Sequence, residues 1–167
     1  NTFVQFAKIE GESMEDNHKK WIPVKSLEWG VERTVDLTDL GSAQRGYANS
    51  NFQKVKLTSN LSLASVLLCQ YVAAGTATDE VTIEMCRAGD DLKRGMEPYL
   101  TFKLYDCVVD SYGLSGGEES VPEENWTLAY RKIDVSYKQT EIKDGKASSK
   151  LKDAKTFSWN LLTGKFS

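Results

Sequence analysis

Short runs in which apolar and polar side chains alternate recur along almost the whole chain, and one segment alone trades that period for a helical one. Thr2-Phe3-Val4-Gln5-Phe6-Ala7-Lys8-Ile9 is a strand rich in aromatic and β-branched residues. Trp21 to Val35 is a second extended stretch. In it Ile22 and Val24 point one way while Leu27, Trp29 and Val31 point the other. A regular strand keeps its parity, so this switch of face places a bulge near Pro23 to Ser26. Phe52, Val55 and Leu57 mark a short strand. Val81, Ile83 and Met85 alternate with Thr82, Glu84 and Cys86, and Leu100, Phe102 and Leu104 alternate with Thr101, Lys103 and Tyr105. Further strands run through Trp126 to Tyr137 and through Phe157, Trp159 and Leu161. Turn-forming clusters at Ala88 to Gly95, Ser115-Gly116-Gly117 and Lys143 to Ser149 separate them. Many evenly spaced strands imply closure into a barrel or sandwich. The expected fold is mainly β: a compact β-barrel of two packed antiparallel sheets, with one flanking α-helix and a long extended loop, in a single domain spanning residues 1–167.

The helix is predicted after Ser59 or Asn60, as cap, and before Gly75, a C-terminal glycine signal. Leu61, Ala64, Leu68 and Val72 recur at helical spacing, and Leu63, Val66, Leu67 and Tyr71 widen the stripe. So broad an apolar face needs cover on more than one side. The stretch Thr34 to Ser50 has no steady period and is longer than compact domains ordinarily tolerate. Its few apolar residues, Leu37, Leu40 and Tyr47, are spaced like anchors, so it is either a surface loop or a docking arm.

Chemistry is scarce. Net charge is -3, with Lys and Arg scattered, so there is no concentrated basic face for phosphates and no nucleic-acid partner is expected. Cys69, Cys86 and Cys107 are widely spaced and form no C-x-x-C pair; they read as small buried hydrophobes of a reduced compartment. Asn1 to Glu10 reads as a strand rather than a secretory signal, and Leu61 to Ala74 is too short and interrupted to span a bilayer. His18 is the only histidine. Glu12, Asp16 and His18 could ligate a metal, yet one polar turn without a second His or Cys favours turn hydrogen bonding, and no metal or cofactor is expected. Glu118-Glu119 and Glu123-Glu124 suggest paired-carboxylate glycosidase chemistry, but adjacent loop carboxylates are more simply solvated. Ser115-Gly116-Gly117 lacks the Lys and helix start of a phosphate loop. The tryptophans alternate with polar neighbours and read as core fillers.

Taken in order, Phe6-Ala7-Lys8-Ile9, Gly11-Glu12-Ser13, His18-Lys19-Lys20-Trp21-Ile22 and Trp29-Gly30 resemble the opening of the haemolysin-coregulated protein (Hcp) family. The resemblance continues through the helix ending at Gly75, Arg87-Ala88-Gly89, Leu104-Tyr105-Asp106-Cys107-Val108-Val109, Ser111-Tyr112, Pro122-Glu123, Tyr137-Lys138-Gln139 and Trp159-Asn160-Leu161. It implies a non-enzymatic tube subunit of the type VI secretion machine, made in the cytoplasm and exported without a signal peptide. Six copies would close into a ring and rings would stack into a tube, inside a contractile sheath and beneath a spike, with effectors carried in the ring. The long loop would then be the arm that contacts the neighbouring subunit or ring, through Leu37, Leu40 and Tyr47. Asp90 to Glu97 is longer and more charged than the family pattern at that turn.

Repeating head-to-tail contacts must close into a ring or run on as a filament. Glu28, Gly30 and Glu32 share the face opposite Leu27, Trp29 and Val31; that face either lines a lumen or is plain solvent surface. Two alternatives stay open: a small-ligand or carbohydrate-binding barrel, from the aromatics, and a secreted hydrolase using Glu123 or Glu124.

Overall fold

A computed structural model describes residues 1–34, 50–88, 95–143, 146–151 and 154–164. In chain order the elements are β1 (Thr2–Phe6), β2 (Ile22–Val24), β3 (Ser26–Glu28), β4 (Val31–Arg33), β5 (Ser50–Phe52), β6 (Val55–Asn60), α1 (Leu63–Ala74), β7 (Ala77–Ala88), β8 (Met96–Gly117), β9 (Ser120–Ala129), β10 (Lys132–Tyr137), β11 (Thr140–Lys143), β12 (Lys146–Leu151) and β13 (Lys155–Asn160). The chain is mainly β with one helix among the described residues, as the alternation required.

Nine strands form one antiparallel sheet in the order β2-β1-β7-β8-β9-β6-β3, with β10 and then β13 branching from β8. The two ends of this path, β2 and β3, are separated in the chain by Lys25 alone. β2 pairs with β1, placing Val24 opposite Thr2, and β3 pairs with β6, placing Leu27 opposite Leu57. The Lys25 amide donates to the Thr58 carbonyl at 2.6 Å. The switch of face near Pro23 to Ser26 is therefore the point where the chain leaves one edge and joins the other. Here the chain links the two ends of the sheet.

β8 makes this possible by serving two partners on one side. Tyr105 and the residues before it pair with β10, whereas Val108 onward pairs with β9. Between them Asp106 takes φ 50, a left-handed conformation that Asp tolerates better than most residues. Two smaller ladders, β4 with β5 and β11 with β12, stand apart from the main sheet. β4 and β5 are the stem of the long loop, with Arg33 opposite Ser50. Leu37, Leu40 and Tyr47 lie outside the described residues, as does residue range 89–94 of the charged connection.

The core follows the pattern read from the sequence: Val4, Ile22, Val55, Leu57, Val81, Ile83, Leu104, Trp126, Leu128 and Ile133 are almost fully buried. The cap of helix α1 falls two or three residues later than the sequence signals suggested. Ser59 and Asn60 are still paired in β6, and Ser62 is the cap, exchanging hydrogen bonds with Ser65 in a capping box. Gly75 ends the helix with φ 63. Ala64 and Leu68 enter the core, with Leu67, Tyr71 and Val72 packed beside them.

Candidate functional site

The densest group of reactive side chains is assembled by the turn between β1 and β2. Gly11 comes so close to Trp21 that a Cβ would sit 2.3 Å from the Trp21 carbonyl oxygen, so only glycine fits. The Gly11 amide donates to Lys20 O at 2.7 Å, Ser13 N donates to Trp21 O at 3.0 Å, and the Ser13 hydroxyl accepts from Glu15 N at 3.3 Å. Glu12 reaches away to α1, where its Oε1 accepts the otherwise unpaired Leu63 amide at 3.2 Å. The Gly-Glu-Ser run thus encodes a close approach, a helix cap and a turn.

That turn folds over the outer face of β1 and β7 and presses His18 into it. The imidazole is 1% exposed. It stacks on Phe3 with ring centroids 4.5 Å apart and meets Trp21 edge-on at 4.8 Å. Nδ1 hydrogen-bonds Glu15 Oε2, while Nε2 lies 2.7 Å from Glu84 Oε2 and 3.5 Å from Cys86 Sγ. Each ring nitrogen thus has a carboxylate oxygen as its partner. Burial opposes the charge on Glu15. The Met96 amide, His18 and the Asn17 amide outweigh it and hold the carboxyl below its usual range. Burial, then the carboxylates of Glu84 and Glu15, push the Cys86 thiol up to about 12, so it is no nucleophile near neutrality.

The sequence pointed to Glu12, Asp16 and His18 as a conceivable metal set, and the chain does not bring these three together. Glu12 caps α1, and Asp16 pairs with Lys19 at the surface, 3.6 Å away. The true neighbours, Glu84 and Cys86, arrive from β7, which a local reading of the turn could not show. Their two-residue spacing on one strand face was the available signal.

A second polar group lies under α1. Glu124 is fully buried on β9, accepting from Ser59 Oγ at 2.7 Å and from Tyr112 OH at 2.6 Å, while Trp126 Nε1 donates to Ser59 Oγ at 3.0 Å. Burial and then Glu124 push the Tyr112 phenol well above its ordinary value. Glu123, the preceding residue, points to solvent and pairs with Lys25 at 2.6 Å. The two carboxylates leave β9 on opposite faces and cannot flank one sugar, as a glycosidase requires. Glu118 and Glu119 form the two-residue connection between Gly117 and Ser120 at the tip of the β8–β9 hairpin.

Glu28 is exposed on β3 and opens onto a shallow groove with Ser26, Lys56, Thr58, Ser111 and Asn125. Two pairs of its polar groups bond one another: Thr58 donates to Asn125 Oδ1 at 2.9 Å, and Ser111 lies 2.6 Å from Thr127 Oγ1. Glu32 is exposed on β4, opposite Asn51, and Gly30 sits between, its carbonyl accepting from Gln53 N at 3.0 Å. The outer side of α1 is the opposite in character. Leu63 and Val66 are 75% and 74% exposed, and Leu61 joins them.

A family profile described as "Type VI secretion system effector, Hcp" matches residues 3–137. A solved structure titled "Structure of a type six secretion system protein" is 27% identical, covering 99% of this chain and 98% of that one, with a TM-score of 0.84. Hcp1 from Salmonella typhimurium is 20% identical over 99% of this chain and 97% of its own, with a TM-score of 0.72. A type VI secretion system effector from Yersinia pestis is 21% identical over 96% and 99%, with a TM-score of 0.71. No curated protein matches.

Proposed function

This chain belongs to the Hcp family of type VI secretion system effectors, and from that premise we propose that its outer surfaces join copies of itself into a hexameric ring that stacks into a tube. It is a tube protein of that secretion system, exported by it, and not an enzyme. The ring, its stacking and its contacts are our reading.

The observation that carries it is the uncovered apolar side of α1. Leu63 and Val66 stand in solvent on a helix whose other side already fills the core, and Leu61, just before the cap, lies exposed beside them in the chain. Burying them in a neighbour would return about 1.5–3 kcal/mol for each fully covered side chain. A patch of this kind marks an interaction site in a soluble chain. Head-to-tail repetition of such a contact closes into a ring where the rotation allows.

In this reading the polar surface at Glu28, Gly30 and Glu32 faces the lumen. Beside it, Thr58 bonds Asn125 and Ser111 bonds Thr127, so those groups offer cargo little to grip. The loop carried on β4 and β5 is the arm toward the next subunit or ring, contacting it through Leu37, Leu40 and Tyr47. The sheath, the spike and effector cargo are the further partners of the assembled tube. Negative-stain electron microscopy of the purified chain tests this. Six-fold ring views with a central hole are expected; a field of isolated chains would overturn the reading.

A further inference from the structure

We propose that His18, Glu84 and Cys86 form a binding site for a divalent transition-metal ion of the zinc class, with Glu15 positioning the imidazole from behind. His18 Nε2, a Glu84 carboxylate oxygen and Cys86 Sγ all lie within 4.8 Å of one another. The set combines nitrogen, oxygen and sulfur donors, which borderline-soft ions such as zinc accept and calcium or magnesium do not favour.

Spacing supports the assignment. A tetrahedral ion with its imidazole nitrogen at about 2.0 Å and its thiolate at about 2.3 Å holds those atoms about 3.5 Å apart. Nε2 and Sγ are 3.5 Å apart. Nε2 and Glu84 Oε2, at 2.7 Å, stand at hydrogen-bond distance and would open by about 0.6 Å around the ion. Three protein ligands leave a fourth position for water.

The surroundings are those of a built site. Glu15 Oε2 takes the other ring nitrogen, Nδ1, while the Met96 amide donates to Glu15 Oε1 at 2.9 Å and so fixes the carboxylate. A carboxylate behind a ligating histidine sets its tautomer and raises its basicity. Phe3 below and Trp21 beside the ring leave the imidazole no freedom to turn away. Access comes through Glu84, which borders an open polar groove shared with Pro98, Thr101, Lys103 and Tyr105. Without an ion the Cys86 thiol is neutral; a divalent charge beside it reverses that preference. Entry of the ion releases two protons, one shared by Nε2 and Glu84 and one from Cys86 Sγ. The product joins the turn carrying His18 to β7 by coordinate bonds.

The test is a Co²⁺ titration of the folded Cys69→Ser chain, which removes the exposed thiol. One equivalent should give the intense near-ultraviolet absorption of a cobalt–thiolate bond, and Zn²⁺ should displace it. Adding Cys86→Ser should abolish that absorption. Glu15→Gln, at the carboxylate behind the imidazole, should weaken binding by about 10–100-fold while circular dichroism reports the same fold. No thiolate absorption at millimolar Co²⁺, or absorption that survives Cys86→Ser, would overturn the site.

Discussion

The His18 imidazole lies flat on the Phe3 ring, with planes 11° apart. Its two nitrogens are meanwhile held by carboxylates from different parts of the chain. One residue thus ties the first strand, the following turn and β7 into a small cluster outside the main core. Replacing His18 by Ala removes the stack and leaves Glu15 and Glu84 without their shared donor. Such a loss should cost about 3 kcal/mol. Urea unfolding with a chelator present measures it, and a midpoint equal to wild type would refute the clamp.

Gly11→Ala should be nearly as damaging, for a different reason. The added methyl collides with backbone atoms of Trp21 and Ile22 at 2.3–2.6 Å, and backbone cannot yield as a flexible side chain can. A loss of about 2–4 kcal/mol is expected, read as a lower thermal midpoint. A shift of under about 0.5 kcal/mol, ordinary for a surface change, would contradict the close approach.

Glu124 tests whether the buried carboxylate is structural. Tyr112→Phe deletes one donor and should cost about 1 kcal/mol. Glu124→Ala leaves Ser59 and Tyr112 unsatisfied and should cost about 2–4 kcal/mol. Glu123→Gln, which touches only an exposed pair with Lys25, should change stability by under about 1 kcal/mol. Equal effects at 123 and 124 would contradict their placement on opposite faces.

Stability should fall at both ends of the pH scale. Burial opposes the charge on Asp110, but Lys54 and Thr127 outweigh it and hold the carboxyl low, as Met96 and His18 do for Glu15. A depressed carboxyl stabilises the fold above its unfolded pKa of about 4 and loses that contribution as pH falls through the folded value. Cys107 behaves in the opposite sense. Burial and then Asp106 push its thiol up to about 12. A raised thiol stabilises fully below its unfolded pKa of about 8.5 and loses that contribution as pH rises toward the folded value. Urea midpoints measured across pH 3–10 should form a dome, with Cys107→Ala flattening the alkaline side. An alkaline slope unchanged in that variant would contradict the assignment.

The strands and the break at Lys25 were legible because period-two alternation is local and a change of parity is visible in sequence. Leu27 and Val24 disagreed about which side was inside, and that disagreement marked the seam. The start of α1 was less legible, since Ser59, Asn60 and Ser62 are all good caps. Pairing of β6 with β9, a contact across more than sixty residues, decided among them. The branch from β8 to both β9 and β10 left no local mark beyond Asp106. Site chemistry was hardest to read. Two partners of His18, Glu84 and Cys86, come from β7, and the burial of Glu124 beside the exposed Glu123 depends on the helix lying over one face. The breadth of the apolar stripe on α1 was plain from sequence, together with its need for a second cover. The structure shows which residues still lack that cover: Leu63 and Val66.

Solution mass tests the central claim most directly. Light scattering on the purified chain should give a particle near six times 18.7 kDa. Leu63→Asp with Val66→Asp should reduce it to single chains whose circular dichroism is unchanged. A wild-type chain that stays at 18.7 kDa at every concentration would contradict the ring.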